Sequence, residues 1–295
     1  MQKPTDFLSD IVLGMMTLNQ WELTGSNLVE WIESCMELGV TTFDHADLYG
    51  DYLNEDIFGQ ALKEKPSLRH EMQLVSKCGV MKISERRPDN LVKHYNSSKQ
   101  HIEWSVDNSL KMLRTDYLDL FLVHRPDLLM NMEELGPTLD TLIDSGKILH
   151  AGVSNFSPAQ FSALQAHMDH PLVTNQVHFN VVHTDPLVDG TVDQASDYGF
   201  RLMAYSPFYA GKLIQADTPL TKSLIERAEV IQKGYSFGVN GVPVSWLLTH
   251  PTRPHVVVAT RHLPKIREMT VAAAEPLDRQ DWYAMLEISR GYSVP

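Results

Sequence analysis

Short runs rich in Val, Leu, Phe and Thr alternate along the chain with longer runs whose apolar residues fall three and four apart. A period near two giving way to one near 3.6, and back again, is the pattern of βαβ units. The expected strands are IVLGMM, TTFDHA, MQLVSKCG, LDLFLVH, HAGVSN, VTNQVHF, RLMAYSP and HVVVAT, eight in all. Between them helices are expected near 24–38, 53–65, 99–113, 131–145, 158–168, 188–198, 219–233 and 242–249. Runs such as LDLFLV are apolar on both faces, which suits parallel strands covered by helices outside and packed against side chains inside. Eight evenly spread units favour an α/β fold of the closed (β/α)8 kind, a TIM barrel, over a doubly wound sheet.

A length of 295 residues leaves one or two domains open. No internal repeat, low-complexity tract or composition break marks a boundary, so residues 1–295 read as a single barrel domain. Ser157-Pro158 places a cap before a proline at the first helical position. Two polar stretches, VMKISERRPDNLVKHYNSS after the third strand and DTPLTKS after the seventh, are either plain surface loops or active-site lids. The helical patterns LPKIREMTVAAAE and RQDWYAMLEISRG would cover the barrel's edge.

With 43% hydrophobic and 21% charged residues the chain can bury a large core. A formal charge of -12 supplies no general field for nucleic acid or an anionic membrane, so an anionic ligand must be held by local groups. The start, MQKPTDFLSD, lacks a signal-peptide pattern, and no apolar run approaches the roughly 20 residues of a membrane span. A soluble, cytoplasmic protein without a nucleic-acid or membrane partner is expected; nothing in the sequence fixes its oligomeric state. The two cysteines, Cys35 and Cys78, imply no disulfide, and Cys78 is expected to be packed and inert although Lys77 adjoins it.

In a parallel barrel the polar residues at the strands' C-terminal ends converge on one mouth. Here they are Asp44 with Tyr49 (FDHADLYG), Lys77 (VSKCG), His124 (LVHRPD), Ser154 and Asn155 (GVSNF), Gln176 (TNQVHFN) and Tyr205 (MAYSP). Asp, Lys, Tyr and His on adjacent strands point to a general acid tuned by a buried ion pair. A tyrosine with an ordinary pKa of about 10 needs roughly 3–4 kcal/mol in favour of its phenolate to work near neutrality. One ammonium at about 4 Å, at an effective dielectric of about 20, contributes roughly that much. Asp44 would hold Lys77 charged, and His124 would place the carbonyl oxygen or relay a proton. Each of the four also has a plain structural reading as a cap, strand end, core histidine or packing ring.

It is on these segments, FDHADLYG, VSKCG, LVHRPD, GVSNF with NQVHFN, and MAYSPF, in this order over nearly the whole length, that the chain resembles the aldo-keto reductase superfamily. The resemblance implies hydride transfer from NADP(H), with NAD(H) second, to a small-molecule aldehyde or ketone, and a proton from Tyr49. Asp44, Lys77 and His124 complete a catalytic tetrad. Ser154, Asn155 and Gln176 would bind the carboxamide, Tyr205 would stack on the nicotinamide, and Gly14, Met15 and Ser206 would line its site. After the eighth strand, ATRHLPKIREM places Thr260, His262 and Lys265 toward the 2′-phosphate, with lysine where the family carries arginine and Met269 where it carries asparagine. Lysine supplies charge but no bidentate fork.

Substrate contacts are expected from Trp21, His45 and Phe208. Trp21 forms an aromatic wall or closes the barrel's edge; His45 touches substrate or lies hydrogen-bonded inside. No HExxH or similar spacing supports a metal, and no GxGxxG turn precedes a helix. Two other readings remain open: a nicotinamide-binding regulatory protein with little turnover, and a barrel lyase or hydrolase without nicotinamide.

Overall fold

A computed structural model describes residues 4–294. In chain order the strands are β1 (Ile11–Gly14), β2 (Thr42–Asp44), β3 (Gln73–Cys78), β4 (Val80–Met81), β5 (His94–Tyr95), β6 (Leu120–Val123), β7 (Ala151–Ser154), β8 (Leu172–His178), β9 (Met203–Tyr205) and β10 (His255–Val258). The helices are α1 (Gly25–Glu37), α2 (Asn54–Glu64), α3 (Lys99–Leu113), α4 (Met132–Asp144), α5 (Pro158–Gln165), α6 (Thr191–Asp197), α7 (Lys212–Gln215), α8 (Pro219–Ile231), α9 (Gly241–Thr249), α10 (Leu263–Ala274) and α11 (Arg279–Arg290).

Eight strands close into a barrel in the order β1-β10-β9-β8-β7-β6-β3-β2, while β4 and β5 form a separate antiparallel ribbon. The eight expected strands are those of the barrel. Parallel registers include Asp44 opposite Val75, Lys77 opposite Leu122 and Ser154 opposite Gln176. Among the described residues no helix is long and apolar enough to cross a membrane.

The chain divides into two compact units, of which one comprises Leu13–Glu37 and Thr41–Gln176. Its core is built on buried Phe43, Phe58, Phe121, Leu74, Leu120 and Val153. Trp31 meets Trp21 edge-on at 5.2 Å and Phe43 at 6.4 Å. Helix starts follow the residues expected of them: Ser98 caps α3, and Ser157 with Gln160 forms a capping box on α5, Pro158 occupying the first turn. The polar stretch after β3 is neither wholly loop nor wholly lid. It folds back through the β4–β5 ribbon, and the Arg87 guanidinium packs over the rings of Tyr52 (4.6 Å) and Trp104 (5.0 Å).

The other unit comprises Met1–Val12, Leu38–Val40 and Val177–Pro295. Here Trp246 and Trp282 stack at 5.0 Å, and each indole N–H donates to the other residue's backbone carbonyl, at 3.1 and 2.9 Å. That reciprocal bond satisfies both buried donors and pins α9 to α11. The sixth helix starts at Thr191 rather than near 188, because Gly190 turns the chain at φ 91° after a short 3-10 turn, Asp185–Leu187. The short α7 was not expected; Thr218, inside the DTPLTKS stretch, is the N-cap of α8.

Candidate active site

Four side chains at the ends of β2, β3 and β6 form the centre of the site. Side chains alternate along a strand, so Lys77 faces inward while its neighbours Ser76 and Cys78 face the surrounding helices. The Lys77 Nζ donates to Asp44 Oδ1 at 2.6 Å and to the His45 carbonyl at 2.7 Å. It stands 5.2 Å from the centroid of the Tyr49 ring, and the His124 imidazole meets the same ring edge-on at 5.9 Å. Lys77 is wholly buried and Asp44 nearly so, whereas Tyr49 and His124 are half-buried. The phenol and the imidazole are therefore the parts of this cluster that an entering molecule can touch.

Electrostatics follow from that burial. Desolvation pushes the Lys77 ammonium toward losing its proton, and the carboxylate of Asp44, then those of Glu55 and Asp47, oppose the push. Burial, reinforced by the charges of Lys77 and Arg125, holds His124 well below the ordinary imidazole range. At neutral pH it is an uncharged ring, able to orient an oxygen by hydrogen bonding but carrying no extra proton.

The turn that presents Tyr49 is fixed by its neighbours. Gly50 has φ 57°, and a Cβ there would lie 1.8 Å from Asn54 Oδ1, so only glycine fits. The Asn54 Nδ2 in turn donates to the carbonyls of Met15 (2.7 Å) and Met16 (3.0 Å). Met15 is itself fully buried, and its N–H donates to the Asp44 carbonyl at 2.9 Å. Gly14 ends β1 beside it.

The residues expected to hold a carboxamide lie at the ends of β7 and β8. Ser154 Oγ donates to the Gln176 carbonyl at 2.9 Å, Asn155 Nδ2 donates to Ser154 Oγ at 2.7 Å, and Gln176 Nε2 reaches Asp44 Oδ1 at 3.2 Å. Asn155 is held at φ 60°, a strained conformation for a residue with a side chain. One hydroxyl and two carboxamides, locked together and tied to the ion pair, form a donor and acceptor set that fits the amide of a nicotinamide ring.

In the other unit Tyr205 is half-buried and stacks on His178 at 5.2 Å, which stacks on His183 at 4.4 Å. Asn180 Oδ1 accepts from the N–H groups of Val182 and His183, so its amide nitrogen must be the group facing Ser206 O (2.8 Å) and His178 Nε2 (3.1 Å). His178 Nε2 is thus an acceptor there. Ser206 has φ 56°, and Phe208 is half-buried. Thr260 Oγ1 accepts from the N–H of His262 at 3.2 Å just ahead of α10, and Lys265 in its first turn is exposed, without an ion-pair partner among the described residues.

Two expected substrate contacts sit elsewhere. His45 is wholly buried with its ring 4.6 Å from Phe58; burial, with the Lys77 charge, pushes it down to about 3, and neither ring nitrogen has a partner among the described residues. Trp21 is 7% exposed, its Nε1 donates to Thr17 Oγ1 at 3.0 Å, and it closes against Trp31 instead of forming a wall. Cys35 and Cys78 are buried free thiols; burial pushes Cys35 up to about 12 and Cys78 well above the usual thiol range, as an inert role requires.

Sequence reasoning missed Asp47 and Glu55, two acids buried behind the ion pair. The signal was present: Glu55 stands on the same helical stripe as Phe58 and Leu62, an acid where the apolar period demands a core residue.

Residues 10–290 match the model of the Aldo/keto reductase family. The chain is 40% identical to Oxidoreductase YdhF of Escherichia coli, covering 97% of this chain and 95% of that one. It is 37% identical to a 6-dehydroglucose reductase of Agrobacterium fabrum, covering 97% and 96%. Among solved structures, a thermostable aldo-keto reductase in complex with the inhibitor epalrestat superposes with a TM-score of 0.76 at 25% identity, over 95% of each chain.

Proposed function

Because the chain belongs to the aldo/keto reductase family, we propose that it reduces an aldehyde or ketone to the alcohol, with NADPH as the hydride source and Tyr49 as the proton donor. The observation that carries this reading is a tyrosine whose ring centroid lies 5.2 Å from a wholly buried ammonium that is itself clamped by Asp44. When bound, the reduced nicotinamide supplies a hydride to the carbonyl carbon. Tyr49 gives its phenolic proton to the carbonyl oxygen as that oxygen gains charge, and the Lys77 ammonium stabilises the phenolate left behind. Asp44 keeps that ammonium in place through the 2.6 Å contact. His124, neutral, donates a hydrogen bond to the same oxygen and so fixes its direction.

Ser154, Asn155 and Gln176 bind the carboxamide and choose which face of the ring is presented. Tyr205 offers a flat aromatic surface for stacking, and Gly14, Met15 and Ser206 are the further residues assigned to the cofactor. Thr260, His262 and Lys265 take the 2′-phosphate, where one lysine charge favours NADPH over NADH. Phe208 remains a substrate contact. The 6-dehydroglucose reductase relative makes aldehydes on polyhydroxylated chains the first substrates to assay.

Loss of NADPH absorbance, followed with such aldehydes and with a simple aromatic aldehyde, tests the reading. Tyr49→Phe is expected to lower kcat by about two orders of magnitude or more while leaving the Kd for NADPH nearly unchanged. Turnover that survives in Tyr49→Phe would take the proton-donor role away from this residue.

A further inference from the structure

Behind the Asp44–Lys77 pair lie two acids that none of these roles employs. Glu55, in the first turn of α2, is 3% exposed; its Oε1 accepts from Ser76 Oγ at 2.6 Å and its Oε2 from Ser109 Oγ at 3.1 Å. Asp47, in the turn between β2 and α2, is 6% exposed. It accepts from Ser105 Oγ at 3.4 Å through Oδ2, and the Leu48 N–H also favours its charged form, while its Oδ1 is buried without a hydrogen-bond partner among the described residues. Its own N–H donates to the Lys77 carbonyl at 3.0 Å.

Two neighbouring buried acids cannot both ionise cheaply. Two hydroxyl bonds, one of them short, stabilise the Glu55 carboxylate better than the long Ser105 bond and the Leu48 N–H stabilise an Asp47 carboxylate with one orphan oxygen, so the negative charge belongs on Glu55 and the proton on Asp47. Burial raises both acids, with Ser76, Ser109 and Lys77 opposing it at Glu55, and burial together with the charge of Glu55 pushes Asp47 up to about 8. Ser76 immediately precedes Lys77 on β3, which ties the Glu55 carboxylate to the strand that bears the ammonium.

We propose that Glu55 is a positioning residue of the reduction: its carboxylate, fixed by Ser76 and Ser109, is a second counter-charge that keeps Lys77 protonated beside Tyr49. The proposal rests on the reading of Tyr49 as the proton donor. Without Glu55, only Asp44 and Asp47 would be left to oppose the desolvation of Lys77, and in a dry interior a charge beyond hydrogen-bond distance still counts. The groups that face this carboxylate are Lys77 and the thiol of Cys78 on β3, Asp47 from the preceding turn, and the hydroxyls of Ser76 on β3 and Ser109 on α3. Lys77 additionally faces Asp44 from β2, the neutral imidazole of His45 just after it and that of His124 after β6, and Asp47 faces Arg87 and Tyr52.

The rival account is that Glu55 merely ties α2 to β3 and α3. A tie affects stability; it does not set the pH at which the Tyr49–Lys77 pair gives up its proton. The test is the pH profile of kcat for carbonyl reduction in wild type, Glu55→Gln and Glu55→Asp. Removing a negative charge favours loss of a proton from the pair, so the alkaline limb moves to lower pH. The expected shift in Glu55→Gln is about one pH unit, a loss in kcat of about tenfold at a pH on the limb. The Kd for NADPH stays within about twofold, and Glu55→Asp, which retains the charge, recovers part of the shift. Should Glu55→Gln fail to fold, Glu55→Asp carries the test: its carboxylate is drawn back by one methylene, and a smaller shift in the same direction is expected. A limb that stays put in a folded Glu55→Gln, or in Glu55→Asp when only that variant folds, overturns the role of Glu55 alone. If the wild type oxidises no NADPH with any carbonyl, the reduction itself is wrong and this proposal goes with it.

Discussion

A wholly buried ammonium is expensive unless paired, and Lys77 is paired on the side where chemistry is expected of it. Its two short bonds, to Asp44 and to the His45 carbonyl, fix the ammonium's position in the site. The same burial leaves His45 with an imidazole that has no hydrogen-bond partner among the described residues and must stay neutral. Lys265 is the opposite case: an exposed cation at the start of α10, where helix N–H groups also favour an anion. Lys265→Ala is expected to raise the Kd for NADPH about tenfold while changing that for NADH less than twofold, read by titration of protein fluorescence. Equal losses for both cofactors would show that Lys265 does not read the 2′-phosphate. At this scale Asp44, Lys77 and His124 were legible because a strand end tells where a side chain goes. Glu55 was missed in spite of its place on the apolar stripe of α2, because a carboxylate on a helix usually means a solvated face.

The elements hold the site through close approaches that leave no slack. Helix α2 carries both Asn54, which anchors the first βα loop, and Glu55, and it lies against α3 at Gly59. A Cβ on Gly59 would stand 2.0 Å from the Met112 carbonyl oxygen and 3.0 Å from Leu113 Cα. Those are backbone atoms and cannot swing aside. Gly59→Ala is therefore expected to destabilise the protein by about 1–3 kcal/mol, in spite of alanine's better helix propensity, and to lower kcat as Asn54 and Glu55 shift. Chemical denaturation gives the first quantity, and a midpoint at or above that of wild type would mean that the two helices separate at no cost. The start of α5 was legible at this scale, since Ser157-Pro158 announces itself locally, whereas the Thr218 cap of α8 was hidden in a stretch that reads as loop or lid. The β4–β5 ribbon was hidden, being two residues per strand with no apolar alternation of its own.

Across the whole molecule the buried titratable groups set a stability optimum. Burial pushes His45 and His255 down to about 3 and His101 down to about 4, from an ordinary value of 6.5. The unfolded chain then binds more protons than the folded one between about pH 4 and 6.5, so stability falls as pH drops through that window, by up to roughly 1.4 kcal/mol per pH unit for each histidine. Asp47 acts in the other sense. Raised from 3.8 to about 8, it keeps a proton in the folded state that the unfolded chain has released, so its contribution declines as pH rises toward 8. Burial also lowers His124 and His150 and raises Glu55 and Asp119, so five histidines act against three acids below pH 6.5 and fall silent above it, which places the maximum near pH 6.5. Denaturation midpoints between pH 4.5 and 8.5 are expected to show this maximum, and Asp47→Asn to flatten the alkaline side; a wild-type curve that keeps rising to pH 8 would contradict the assignment. What was settled before any folding was the repeating unit, the number and order of barrel strands, and the polar residues at their ends, because hydrophobic period and side-chain alternation are properties of a few consecutive residues. Only tertiary structure decided that Glu55 would meet Ser76 and Ser109, 21 and 54 residues away, or that Trp21 and His45 would turn inward. Those outcomes depend on which distant segments share the same buried volume, and no local pattern carries that information.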